Sequence, residues 1–126
     1  MKRGVIWGRT VEMQGGPLAY LVYKNEFGGD LALDLLEAYR AETVSTETFL
    51  RFAWTMAKTY DPDTSDYPTW LSEFDPDGFS LSESPVGVID SAINAELFRV
   101  AKAGKAAKAR RWLSRRLGAM ARRLGA

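Results

Sequence analysis

Apolar positions in this chain recur mostly at helical spacing and alternate in one short stretch. Between Pro17 and Leu36, PLAYLVYKNEFGGDLALDLL, two helical runs meet at Gly28-Gly29. Pro17 suits a first helical position, because its φ is preset and its missing N–H would have no partner there. Leu18, Leu21 and Val22 follow at i, i+3 and i+4, with Tyr20, Tyr23 and Phe27 beside them. Gly28 or Gly29 is expected to take the left-handed conformation that ends a helix. Asp30 is expected to cap the next helix by accepting from its free backbone N–H groups. Leu31, Leu35 and Ala38 recur at helical spacing beyond it. The spacing predicts helices over about 17–28 and 30–41, with Phe27, Gly28, Gly29 and Asp30 as the corner between them.

Phe49, Ala53, Met56 and Tyr60 mark a third helix over about 46–59. Ser45 or Thr46 caps it, and Asp61-Pro62 stops it. Two turn-rich loops, 61–69 and 75–84, flank a short helical segment at 69–74. There Trp70, Leu71 and Phe74 are expected to fold back as a plug on the core. Ser84-Pro85 opens a further helix, predicted over about 85–103, with Val86, Ile89, Ile93, Leu97 and Val100 on one stripe. Residues 5–14 alternate and predict a strand or hairpin arm. Val5, Trp7, Arg9, Val11 and Met13 share one face, and Gly8 marks a turn or bulge. The expected fold is mostly α: a single domain of about five helices, a small N-terminal β element and a basic C-terminal helix. Its core is expected to hold Leu18, Leu21, Phe27, Leu35, Phe49, Ala53, Met56, Ile89, Ile93 and Leu97.

Charge divides the chain in a way that hydropathy does not. Residues 1–98 hold all 16 acids and 7 bases; residues 99–126 hold 10 bases and no acid. The expected division is a body over 1–104 and a basic tail over 105–126. Along the tail Leu113, Leu117, Met120 and Leu124 form a stripe. Arg110, Arg111, Trp112, Leu113, Arg115, Arg116, Leu117 and Met120 are its candidate partner contacts. Clustered arginine can neutralise nucleic-acid phosphates, lie on an anionic membrane, or dock on an acidic protein, including this chain's own body. No run reaches the ~18 apolar residues of a membrane span. The basic N-terminus lacks the apolar core of a secretory signal. A cytoplasmic location is the expectation.

Chemistry is constrained by what the composition lacks. There is no Cys, hence no disulfide or thiolate metal site, and no His, the commonest general base and transition-metal ligand. Asp61, Asp63 and Ser65 sit at the first, third and fifth positions of a calcium loop. The sixth is Asp66 where Gly is needed, and the twelfth is Ser72 where a bidentate Glu is needed. Gly15-Gly16-Pro17 precedes a helix without the Gly-Lys-Ser/Thr of a phosphate loop. No pair of carboxylates is set in surroundings that would split their pKa values. No catalytic, metal or cofactor residue is assigned, and the chain is expected not to be an enzyme.

One motif carries a resemblance. Tyr23-x-x-Glu26-Phe27-Gly28-x-Asp30-Leu31 is followed by Phe52-Ala53-Trp54-Thr55-Met56-Ala57-Lys58, an acidic turn and Trp70-Leu71-x-x-Phe74. Together with Val88-Ile89-Asp90 through Leu97-Phe98, this order resembles the tail assembly chaperones of long-tailed, siphovirus-type bacteriophages, over about residues 4–100. The resemblance implies a protein that binds the tape measure protein during tail assembly, with the tail tube protein as a further partner. It implies work in the host bacterial cytoplasm and absence from the mature virion. It also implies a second, longer product made by programmed frameshifting. Gly104-Lys105 is the only Gly-Lys in the chain, and GGA followed by AAA or AAG can slip back by one base. The arginine-rich tail departs from the family pattern. It keeps open the alternative of a small nucleic-acid-binding protein that contacts its ligand weakly through the C-terminal helix.

Overall fold

A computed structural model of the chain describes residues 1–98. It is mostly helical, with a two-stranded antiparallel sheet at the N-terminus. Strands β1 (Lys2–Ile6) and β2 (Arg9–Met13) precede helices α1 (Leu18–Phe27), α2 (Leu31–Arg40), α3 (Thr46–Tyr60), α4 (Tyr67–Ser72) and α5 (Val86–Glu96). A single 3₁₀ turn, Pro76–Gly78, lies in the loop before α5. The tail contacts Arg110 to Met120, the Gly104-Lys105 join, the boundary at residue 104 and the expected C-terminal helix all lie outside the described residues.

The N-terminal element is a closed hairpin. Trp7 and Gly8 both take positive φ, 46° and 78°, the pattern of the two-residue turn that matches strand twist. The turn shifts the pairing parity expected for a straight strand. Ile6 pairs with Arg9 and Gly4 with Val11, so Ile6, Val11 and Met13 face the core. Val5, expected beside Val11, pairs with Thr10 on the outer face and is exposed. On that outer face Arg3 donates to Glu12 across the strands at 3.1 Å. A non-glycine residue at positive φ is strained, and contacts of the Trp7 side chain hold it there. Its indole N–H donates to the carbonyls of Ser80 (3.1 Å) and Glu83 (2.9 Å), and its ring meets the edges of Phe74 and Phe79.

Helix α3 is the centre. It buries Phe49, Leu50, Phe52, Ala53, Trp54, Thr55, Met56, Ala57 and Thr59. It packs against β2, α1 and α5, with α4 across its end. Ser45 caps it by accepting from the Thr48 N–H at 3.2 Å. Leu35, Phe49, Ala53, Met56, Ile89 and Ile93 are buried; Phe27 and Leu97 pack against the core half-covered. Leu18 and Leu21 do not join it: they are 50% and 55% exposed, and α1 instead buries Ala19 and Tyr23. Apolar residues lie on both faces of this helix, so spacing alone could not choose between them. Helix α4 starts at Tyr67, inside the stretch expected as loop. Asp66 caps it by accepting from the Thr69 N–H, and Trp70 and Phe74 are buried as a plug.

Helix α5 ends at Glu96, short of the expected 103. The N–H groups of Leu97 and Phe98 both turn back to the Ile93 carbonyl, at 2.8 and 3.1 Å. Glu96 is 8% exposed; it accepts from the Gly15 N–H at 3.2 Å and pairs with the Met1 amino group at 3.3 Å. Gly15 lies so close that a β-carbon there would stand 2.0 Å from the Glu96 carbonyl oxygen. Gly87, exposed on α5, has open space around it. Gly15→Ala is therefore expected to destabilise the fold by more than the roughly 1–3 kcal/mol of ordinary core overpacking. Gly87→Ala should stabilise it by about 0.5–1 kcal/mol through helix propensity. Paired urea titrations check both signs.

Candidate partner-binding groove

The α1–α2 corner is built by one side chain after another from the motif at 23–30. Gly28 takes φ 76° and donates its N–H to the Lys24 carbonyl at 2.8 Å, ending α1. Asp30 accepts from the Leu33 N–H at 3.0 Å, capping α2. The Tyr23 hydroxyl donates to the Asp34 carboxylate and so ties α1 to α2. Gly29 leaves room for that bridge, since a β-carbon there would come within 2.8 Å of the Asp34 carboxylate. Glu26 accepts from the Tyr67 N–H at 2.9 Å, serving the first turn of α4. The Phe27 ring meets Trp54 and Tyr67 edge-on, with the Arg51 guanidinium 5.1 Å above it. Arg51 is itself held by Glu47 at 2.8 Å.

Turning Tyr23 and Ala19 inward leaves the opposite face of α1 uncovered. Pro17, Leu18, Tyr20 and Leu21 are all exposed there. A groove of about 490 Å³ runs along this face to the corner, lined by Pro17, Tyr20, Leu21, Lys24, Gly28, Gly29, Asp30 and Leu31. Its wall is more apolar than polar, with one cation, Lys24, midway and one carboxylate, Asp30, at its end. Of the residues singled out in the sequence, Gly28, Gly29 and Asp30 line the groove, while Phe27 points into the aromatic cluster beneath. Pro17, Tyr20, Leu21 and Lys24 went unassigned to any site. The signal that could have found them is the pair of apolar stripes on one short helix, only one of which can face a core.

The other sites considered in the sequence are filled by internal bonds. Asp61 accepts from the Asp63 N–H, and the Lys58 ammonium donates to the carbonyls of Pro62 and Thr64, each at 2.7 Å. A lysine cation thus holds the loop that resembled a calcium site. Asp75 likewise accepts from the Asp77 N–H. Among the described residues no cluster of acidic side chains is arranged to hold a metal ion. No helix among them is long and apolar enough to cross a membrane. Comparison of the chain with protein-family models, curated proteins and solved structures found no match.

Two core phenols, Tyr23 and Tyr67, have raised pKa values. Burial, then the bond and charge of Asp34, push Tyr23 well above the ordinary tyrosine range. Burial, then the Glu47 charge, do the same for Tyr67. A raised folded-state pKa contributes stability that is complete below the unfolded value of about 10 and is lost as pH rises above it. Tyr23→Phe should therefore flatten the alkaline limb of a stability profile taken from about pH 9 to 11. Gly28→Ala should cost about 1–2 kcal/mol, because alanine strains at positive φ. Chemical denaturation reads both.

Proposed function

We propose that this chain is a binding protein without catalytic activity, a tail assembly chaperone of a long-tailed bacteriophage that acts in the host cytoplasm. Its client is the tape measure protein, held soluble while tail tube subunits assemble. The observation that carries this reading is the open apolar face of α1 beside the corner. Tyr20 and Leu21 line the groove, each more than half exposed, on a helix that buries Ala19 and Tyr23 on its other side. Exposed apolar surface grouped along a groove marks an interaction site more often than a random scatter does. An amphipathic client helix laid in such a groove buries its apolar stripe against these side chains. The residues that support the resemblance, Tyr23, Glu26, Phe27, Gly28 and Asp30, also create the corner that forms one end of the groove.

Co-expression with the tape measure protein of the same phage tests the reading. The wild-type chain should keep the tape measure protein in the soluble fraction, and Leu21→Glu should not. Leu21 is exposed, so the variant's own stability should change by no more than about 0.5 kcal/mol. Insoluble tape measure protein with the wild-type chain, together with salt-sensitive binding to random duplex DNA, would favour the nucleic-acid alternative.

A further inference from the structure

A second cavity lies between β2, the loop after α3 and α4. It measures about 390 Å³ and shares no lining residue with the α1 groove. That volume falls within the roughly 300–1,000 Å³ of clefts that take small ligands. Its charged lining is one-sided: Glu12, Asp61, Asp63 and Glu73 stand against a single base, Arg9. The bases nearby are already engaged. The Arg9 guanidinium donates to the Trp70 carbonyl at 3.2 Å, lies over the Trp70 and Phe74 rings and stands 4.0 Å from Glu73. Lys58 gives its ammonium to the carbonyls of Pro62 and Thr64, and Arg3 holds Glu12 at 3.1 Å. Asp61 and Asp63 form no ion pair among the described residues.

A donor in the same cavity also lacks a partner. Trp7 and Trp54 donate their indole N–H groups to backbone carbonyls, whereas Trp70 donates its own to no group among the described residues. Trp70 is 2% exposed and lines this cavity. A buried indole N–H ordinarily finds an acceptor. Among the described residues no fully buried side-chain donor is left unpaired, so this N–H meets solvent, and the cavity is the opening that Trp70 lines.

A ligand that fits both features carries a cation and, joined to it, a hydrogen-bond acceptor. An arginine residue within a peptide has the two together. Its guanidinium offers paired N–H donors that match a carboxylate, and its backbone offers carbonyls. A phosphate or carboxylate ligand is opposed by the charge of the lining. We infer that this cavity binds an arginine-bearing peptide segment of a partner protein. The guanidinium sits among Asp61, Asp63 and Glu73, and a backbone carbonyl of the segment accepts from the Trp70 indole N–H. The site stands independently of the reading of the α1 groove.

NMR of the ¹⁵N-labelled full chain tests this. In the free protein the Trp70 indole N–H should exchange with water faster than those of Trp7 and Trp54. Adding acetyl-Gly-Arg-Gly-Arg-Gly-amide should shift the Trp70 indole and the amides of Asp63 and Ser65, and should slow that exchange. Leu21 and Lys24 should stay in place. The same peptide with glutamine for arginine should leave the spectrum unchanged. Spermidine, a cation without an acceptor, should move the Asp63 amide and leave the indole exchange fast. Asp63→Asn combined with Glu73→Gln should weaken peptide binding by about 3–10-fold, the loss of two exposed charge pairs. Both side chains are exposed, so the rest of the variant's spectrum should match the wild type. Slow Trp70 exchange in the free protein, an indole unmoved by the arginine peptide, an equal effect of spermidine on the indole, or unchanged affinity in the double variant overturns the proposal.

Discussion

The constraint on which the structure depends is the burial of α3. A helix covered on nearly every side can keep polar side chains only if each is satisfied within the protein. Thr55 and Thr59 meet this by donating to the carbonyls of Arg51 and Thr55 four residues back, at 2.8 and 2.7 Å. Trp54 meets it by donating its indole N–H to the Ser65 carbonyl at 2.8 Å, which also draws the loop after α3 down onto the helix. The hairpin is attached in the same way, with the Gln14 N–H donating to the Met56 carbonyl at 3.0 Å. Strand β2 and helices α1, α4 and α5 cover this helix, while β1 packs on β2 and α5 and α2 packs on α1.

The α1–α2 corner shows how a requirement of folding can produce a surface. Tyr23, Glu26 and Phe27 all point toward α2, α4 and α3, and each has a partner there. With these three positions and Ala19 committed inward, helical geometry leaves Leu18, Leu21 and Lys24 facing out. The groove exists because the inner face of α1 is already supplied. A substitution in the motif would therefore disturb the groove indirectly, through the angle of the corner, while a substitution at Leu21 acts on the groove alone.

Charge is handled by a few long basic side chains. Residues 59–98 carry nine acids and no base. Besides the Met1 amino group at Glu96, two basic side chains reach into this region. Arg9 stacks over Phe74 at 4.7 Å and donates to the Trp70 carbonyl at 3.2 Å, and Lys58 closes the loop after α3. Both make hydrogen bonds to backbone carbonyls, so they serve as fasteners as much as counter-charges. Most acidic side chains of the body are exposed or half-buried; Glu96 is the buried one among the described residues.

The sequence by itself determined the elements that rest on local physics. A left-handed glycine at 28 or 29, the cap at Asp30, a cap at Ser45 or Thr46 and the α3 stripe follow from neighbours within a few residues, where sterics and capping bonds decide; the structure selects Gly28 and Ser45. Tertiary structure decided what depended on a choice between equals. Two apolar stripes on α1 were equally good candidates for burial until Asp34 and Phe52 took Tyr23 inward and left Leu21 outside. Parity along residues 2–13 depended on the turn at Trp7-Gly8, and the ring of Trp7 is held there by carbonyls more than 70 residues away. The burial of Glu96 depended on Gly15 and the Met1 amino group, contacts between distant parts of the chain. Periodicity records how many apolar faces a helix has; which one is buried is settled by the partners that arrive from elsewhere in the chain.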